Sequence, residues 1–220
     1  GIIAKDLSAI NQEVVITMLQ TGTQVKRVCA GDNGILKNLT PGNLYIDCST
    51  IDVASAREIH GLAKSKNLLV VDAPVSGGVA GAVAGTLTFM VGGEQQDVDA
   101  AKPILSVMGQ KVIHTGNPGN GQAAKICNNM ILGISMIAIS EAFVLAEQLG
   151  LSPENLFEVV TNASGQCWAM SKYVPVPGLL ENVPANKNYQ PGFAATMMLK
   201  DLYLSQNTAQ AVDVKTPLGA

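Results

Sequence analysis

Charge is scarce in this chain. Asp, Glu, Lys and Arg make up 14% of its 220 residues and aromatics 4%, whereas 47% are hydrophobic. So apolar a composition excludes a disordered segment or a charged interaction tail, and the length is enough to bury a core. Net charge is −3, and no Lys/Arg cluster forms a stripe that could follow a phosphate backbone, so no nucleic-acid partner is expected. The four cysteines, Cys29, Cys48, Cys127 and Cys167, are scattered, with no CxxC pair and no Cys/His ligand spacing. That argues against a zinc site or a disulfide framework and predicts a reducing compartment and no metal. The only histidines, His60 and His114, stand far apart with no triad around them. We read His60 as a helix-surface residue and His114 as a strand-end residue.

Two further absences matter. The start, Gly1-Ile-Ile-Ala-Lys-Asp6, does not have the pattern of a signal peptide. The longest apolar stretch, Met130 to Leu149, is interrupted by Ser135, Ser140, Glu141 and Glu147, which predicts a buried helix in a soluble protein and no membrane partner. No GxGxxG follows a strand and no P-loop is present, so the phosphate-binding element of a dinucleotide fold is not visible.

The first half alternates apolar β-type runs with helical patterns. Strands are predicted at Val14–Met18, Leu44–Cys48, Leu68–Asp72, Leu87–Val91 and Lys111–His114, with helices over Asp52–Ser65 and Glu94–Val107. Apolar strands separated by helices predict a Rossmann-like, mainly parallel α/β sheet. The second half is helical throughout. One long helix is expected from Gly121 to Leu149, ending at Gly150, and it is apolar nearly all round, so it should be packed on several sides. Ser152-Pro153 opens another helix, a proline-rich loop covers Val174 to Gly192, and a last helix begins near Ala194. Residues 1–116 therefore read as an α/β domain and 117–220 as an all-α domain. Both ends look cut, at Gly1 and at Pro217–Ala220.

Lys125 and Asn129 are the most informative pair. Their spacing puts both on one helical face, directly behind the turn Gly116-Asn-Pro-Gly-Asn-Gly121. Such a lysine can exchange a proton with a substrate oxygen that the asparagine amide holds, although alone the pair also fits a snorkelling surface lysine. Asp72-Ala-Pro-Val-Ser76-Gly77-Gly78 follows the third strand at the edge where ligands bind in α/β sheets. Its glycines suit either close approach of a carboxylate or a tight turn. Met18-Leu-Gln-Thr21 and Asp47-Cys-Ser-Thr50 end the first two strands in the same way. Lys200-Asp201 opens the late helix, and Trp168 and Tyr173 precede the proline-rich loop.

These motifs resemble the β-hydroxyacid dehydrogenase family. The ordered set is Asp72–Gly78, Gly85-Thr-Leu-Thr-Phe-Met-Val-Gly-Gly93, Gly119-x-Gly121-x-x-x-Lys125-x-x-x-Asn129 and Lys200-Asp-Leu202, and it covers essentially the whole chain. Ser164–Trp168, Tyr173–Gly178 and Asn188–Phe193 look most like the members that oxidise 3-hydroxyisobutyrate to methylmalonate semialdehyde with NAD, in valine catabolism. The resemblance implies that Lys125 is the acid/base and that Asn129 holds the substrate oxygen. It implies substrate contacts from Ser76, Gly77, Gly78, Trp168, Tyr173 and Asp201, and cofactor contacts from Leu19, Gln20, Gln24, Thr50 and Lys200. A cationic Lys200 near Lys125 would help it lose its proton. A small hydroxyacid substrate, a homo-oligomer (dimer or tetramer) and a location in bacterial cytoplasm or mitochondrial matrix follow.

Two departures stand out. Gln20 occupies a position where the family usually has Pro, and the family's glycine-rich βαβ unit, about 30 or more residues, is absent. The chain is therefore expected to be a fragment of an enzyme and inactive by itself. NADP in place of NAD is left open. The rivals are a related semialdehyde reductase using NADP, a non-catalytic binding or oligomerisation module, and a phosphate binder using Gly116–Gly121.

Overall fold

A computed structural model describes residues 6–220, so the first five residues of the expected 1–116 domain, Gly1 to Lys5, lie outside the described residues. The chain divides into two compact units, Gly1–Ile126 and Cys127–Ala220.

In the first unit, β1 (Val14–Thr17), β2 (Leu44–Asp47) and β3 (Leu69–Asp72) are parallel and in register, so that Thr17, Asp47 and Asp72 end side by side. All four residues of β2 are buried, as expected of a strand covered on both faces. β1 alternates instead, with Val15 and Thr17 buried and Val14 and Ile16 facing solvent. Helices α1 (Gly22–Ala30) and α2 (Val53–Lys64) follow β1 and β2. Thr21 and Asp52 cap them by accepting the Gln24 and Ser55 N–H groups, at 3.2 and 2.7 Å. Ala56, Ile59 and Ala63 of α2 recur at helical spacing and pack into one cluster with Val25, Cys29, Tyr45 and Val70.

The chain then continues through a two-residue strand β4 (Val75–Ser76), a short helix α3 (Gly78–Ala84), β5 (Leu87–Gly92), α4 (Gln95–Met108) and β6 (Gly109–Gly116). β5 runs antiparallel to β3 and β4 and parallel to β6, so the six-stranded sheet is mixed, with the parallel pairs in the majority. The sequence pattern does not disclose β4 or α3. The segment Gly-Val-Ala-Gly-Ala-Val-Ala carries too little side chain to show a periodic apolar stripe. A second cluster, from Ile46, Val71, Phe89, Val91, Val98 and Leu105, fills the space between this half of the sheet and α4.

Helix α5 (Asn120–Gln148) starts in the first unit and continues in the second, followed by α6 (Pro153–Thr161), α7 (Trp168–Tyr173) and α8 (Ala195–Ala211). Ser152 caps α6 and Pro153 sits at its first position. In the second unit Ile139 and Phe143 of α5 pack with Leu132, Met136, Phe157, Ala169 and Met170. The expectation that α5 is packed on several sides is met over part of its surface: Ile126, Asn129, Ile139, Phe143 and Ala146 are buried and Gly133 lies against Leu202, whereas Ile131, Ile137, Val144 and Leu145 are 57–63% exposed. By length and composition α5 could also cross a membrane, and 28% of its most apolar window is buried.

Candidate active site

The parallel strands end in a hydrogen-bonded edge. Thr17 Oγ1 donates to Asp47 Oδ1 at 2.9 Å, and the Ser49 N–H donates to the same oxygen at 3.1 Å. Burial pushes the Asp47 carboxyl above its ordinary value, against the lowering effect of those hydrogen bonds. On this edge sit the expected cofactor residues of the first unit. The Leu19 N–H donates to Ser49 Oγ at 2.8 Å, and the Gln20 N–H donates to Gln24 Oε1 at 3.0 Å. Leu19, Gln24 and Thr50 are half-buried and Gln20 is exposed, the accessibility a docking edge needs.

The glycine-rich turn binds an anion that belongs to the protein. Asp72 Oδ1 accepts the Gly119 N–H at 2.8 Å and Oδ2 accepts the Gln122 N–H at 2.9 Å, so this carboxylate caps the positive end of α5. A β-carbon on Gly121 would lie 2.4 Å from the Met90 carbonyl oxygen and 2.7 Å from that of Asp72. Glycine is required there so that the helix can meet the strand ends, and Asp72 fills the place a phosphate would take. The phosphate-binding reading of Gly116–Gly121 is therefore overturned. His60 is not the surface residue the helical pattern suggests. It is 4% exposed, with Nε2 3.3 Å from Asp72 Oδ1, because α2 turns this face onto the strand ends.

Lys125 follows Gln122 by three residues and is 9% exposed, which sets aside a solvent-seeking surface lysine. Ser76, at the end of β4, is half-buried, and Gly77 and Gly78 are exposed. Gly78 has φ of +60° with open space where a β-carbon would stand, so the backbone angle, not crowding, requires glycine.

In the second unit Asn129 Nδ2 donates to Asp201 Oδ2 at 2.6 Å, and Lys200 Nζ lies 2.9 Å from Asp201 Oδ1. Asn129 and Asp201 are both nearly fully buried, at 2% and 3%. Asp201 is one of the expected substrate contacts. Its two oxygens serve Asn129 and Lys200, so it orients those side chains. The rings of Trp168 and Tyr173 stack with centroids 5.5 Å apart, and Trp168 leaves 56% of its surface to solvent. The Tyr173 hydroxyl accepts the Phe193 N–H at 3.2 Å, which ties this pair to the loop before α8. Among the described residues no group of three His, Cys, Asp or Glu side chains could hold a metal ion.

The structure thus gathers Leu19, Gln20, Gln24 and Thr50 on one edge of the first unit. It gathers Asn129, Lys200 and Asp201 in the second. Sequence reasoning did not assign Asp72, His60 or Gln122 to the site's framework. Only Asp72 had a visible signal, an acid at a strand end just before a loop.

The family description "NAD binding domain of 6-phosphogluconate dehydrogenase" matches residues 3–116. "NAD-binding of NADP-dependent 3-hydroxyisobutyrate dehydrogenase" matches residues 119–220. A 3-hydroxyisobutyrate dehydrogenase of Pseudomonas aeruginosa is 48% identical over 208 residues, 94% of this chain and 70% of that protein. An NAD-dependent L-serine dehydrogenase of the same organism is 46% identical over the same shares of the two chains. The solved structure of Mycobacterium tuberculosis 3-hydroxyisobutyrate dehydrogenase with L-serine superposes with a TM-score of 0.89 at 52% identity, covering 94% of this chain and 70% of that one.

Proposed function

Because this chain belongs to the β-hydroxyacid dehydrogenase family, we propose that it works as an NAD-dependent dehydrogenase of 3-hydroxyisobutyrate, forming methylmalonate semialdehyde in valine catabolism. When bound, NAD supplies the nicotinamide that accepts hydride from the carbinol carbon. Lys125 Nζ takes the hydroxyl proton as the carbonyl forms. The Asn129 amide, oriented by Asp201, holds the substrate oxygen. The Ser76 hydroxyl and the backbone of Gly77 and Gly78 receive the carboxylate, and Trp168 and Tyr173 wall the substrate. Leu19, Gln20, Gln24 and Thr50 would hold the cofactor, and Lys200 would contribute a further cofactor contact. Its ammonium lies against Asp201, so it presents a paired charge rather than an isolated one. The observation that carries the reading is one face of α5, where a buried Lys125 is followed a turn later by a buried Asn129 whose amide is fixed at 2.6 Å.

A second reading is favoured by the L-serine in the names of two similar proteins. L-serine and 3-hydroxyisobutyrate share a primary alcohol on the carbon next to a carboxylate-bearing carbon and differ only in an ammonium for a methyl. The exposed apolar residues of α5 support a homo-oligomer, dimer or tetramer, with those residues covered by another copy. The four free cysteines suit a reducing compartment, bacterial cytoplasm or mitochondrial matrix.

The test is reduced-cofactor formation by protein expressed from the whole reading frame, with 3-hydroxyisobutyrate and L-serine against NAD and NADP. The proposal predicts the highest kcat/KM for 3-hydroxyisobutyrate with NAD. A preference for L-serine selects the second reading, and turnover with NADP alone points to a semialdehyde reductase. No turnover with any pair contradicts an enzymatic role and leaves a binding module.

A further inference from the structure

Gln122 is fully buried, at 0% exposure, one turn ahead of Lys125 on α5. Both ends of its side-chain amide are used. Nε2 donates to the Ser49 carbonyl oxygen at 2.8 Å, and Oε1 accepts the Ile51 N–H at 3.0 Å. Those two residues flank Thr50. The backbone N–H of Gln122 meanwhile donates to Asp72, the cap of α5. Ser49 passes the connection on, because its Oγ accepts the Leu19 N–H and its own N–H rests on Asp47. One amide therefore joins the first turn of the lysine's helix to the Thr50 loop directly, and to the Leu19 loop through a single serine.

We infer that Gln122 is a positioning residue that clamps the cofactor-holding loop Ser49–Ile51 to the helix carrying Lys125, setting the distance between nicotinamide and base. This rests on the proposed roles of Thr50 and Lys125. The chemistry asks for an amide. The Ser49 carbonyl and the Ile51 N–H lie in buried residues, at 0% and 1% exposure, and each needs a partner of opposite kind. A planar group with a donor and an acceptor side by side answers both, as a neighbouring strand would. A methionine of similar volume answers neither. A glutamate answers both only while protonated, because its O–H can then face the Ser49 carbonyl. Once ionised it sets a negative charge against that carbonyl, with Asp72 and Asp47 facing the same region.

The experiment uses protein from the whole reading frame and compares wild type, Gln122→Met, Gln122→Glu and Lys125→Ala. The readouts are the NAD dissociation constant without substrate, kcat from pH 5 to 9 (an interval of about four units around neutrality), and Tm. Gln122→Met is expected to weaken NAD binding and lower kcat, each by about tenfold, the scale of one buried hydrogen-bonded group left without a partner. Gln122→Glu is expected to keep near-wild-type kcat at the acid end and to lose it, relative to wild type at the same pH, as pH rises. A Gln122→Met protein with lower Tm but unchanged NAD affinity and kcat overturns the clamp. If that variant does not fold, a Gln122→Glu profile parallel to wild type overturns it instead. A fully active Lys125→Ala protein overturns the acid/base reading alone, and the NAD affinity of Gln122→Met then decides the clamp.

Discussion

Up to Ile126 the chain closes on itself, whereas from Cys127 onward it leaves much of its apolar surface in solvent. Among the described residues the first unit holds core clusters of thirteen and eleven buried residues, and the second one of five. The polar groups differ in the same sense. Thr17, Asp47, Ser49, Asp72 and Gln122 form one continuous buried network at the strand ends, while in the second unit the buried pair Asn129 and Asp201 has the half-buried Lys200 beside it. The contrast fits the two tasks proposed for these units, cofactor binding and assembly with another copy. A cofactor edge needs backbone groups fixed to fractions of an ångström, and a dense network of satisfied bonds provides that. A helix that meets another copy needs an apolar face left open within its own chain.

The thiols offer the widest test of this contrast. Burial pushes Cys29 and Cys48 up to about 12, whereas Cys127 is exposed. Against an ordinary thiol at 9.0, that leaves about a thousandfold less thiolate at neutral pH. Cys127 should therefore react first with a thiol reagent, Cys167 more slowly, and Cys29 and Cys48 only on unfolding, as read by mass spectrometry of timed samples. Equal labelling of Cys48 and Cys127 would break the comparison.

Two glycines on α5 sharpen it further. Alanine at Gly121 would press on the Met90 and Asp72 backbone oxygens, so Gly121→Ala should destabilise the protein by about 3 kcal/mol in urea unfolding. At Gly133 the nearest atom, at 3.0 Å, is the movable end of the Leu202 side chain. The gain in helix propensity, about 1 kcal/mol, offsets that contact, so Gly133→Ala should be near neutral. The smallest effect is expected at the open face. Val144→Lys should change the stability of the single chain by no more than about 0.5 kcal/mol. In light scattering it should nonetheless shift the assembly toward smaller species, and an unchanged mass would remove this face from the interface.

The five main strands and the long helices were legible because period and punctuation agree in them, as in the Asp52 cap of α2 and the Ser152-Pro153 start of α6. Strand β4 and helix α3 were not, being too short and too small in side chain to show a period. The α5 motif placed Lys125 and Asn129 together, but the reason for its glycines lay in a partner 47 residues away, where Asp72 accepts the Gly119 N–H. Gln122 was hidden for the same cause. Its partners Ser49 and Ile51 are set by tertiary contact, 73 and 71 residues distant, and an isolated glutamine carries no local signal. His60 sat at a position compatible with either face of α2, and only the sheet decided which.

The most direct test of the account is Lys125→Ala in protein from the whole reading frame, measuring NAD affinity and single-turnover hydride transfer side by side. The account predicts NAD affinity within about twofold of wild type, since the clamp and the Thr50 loop are intact, and a hydride-transfer rate lower by about 10²–10⁴. A rate unchanged from wild type would contradict it.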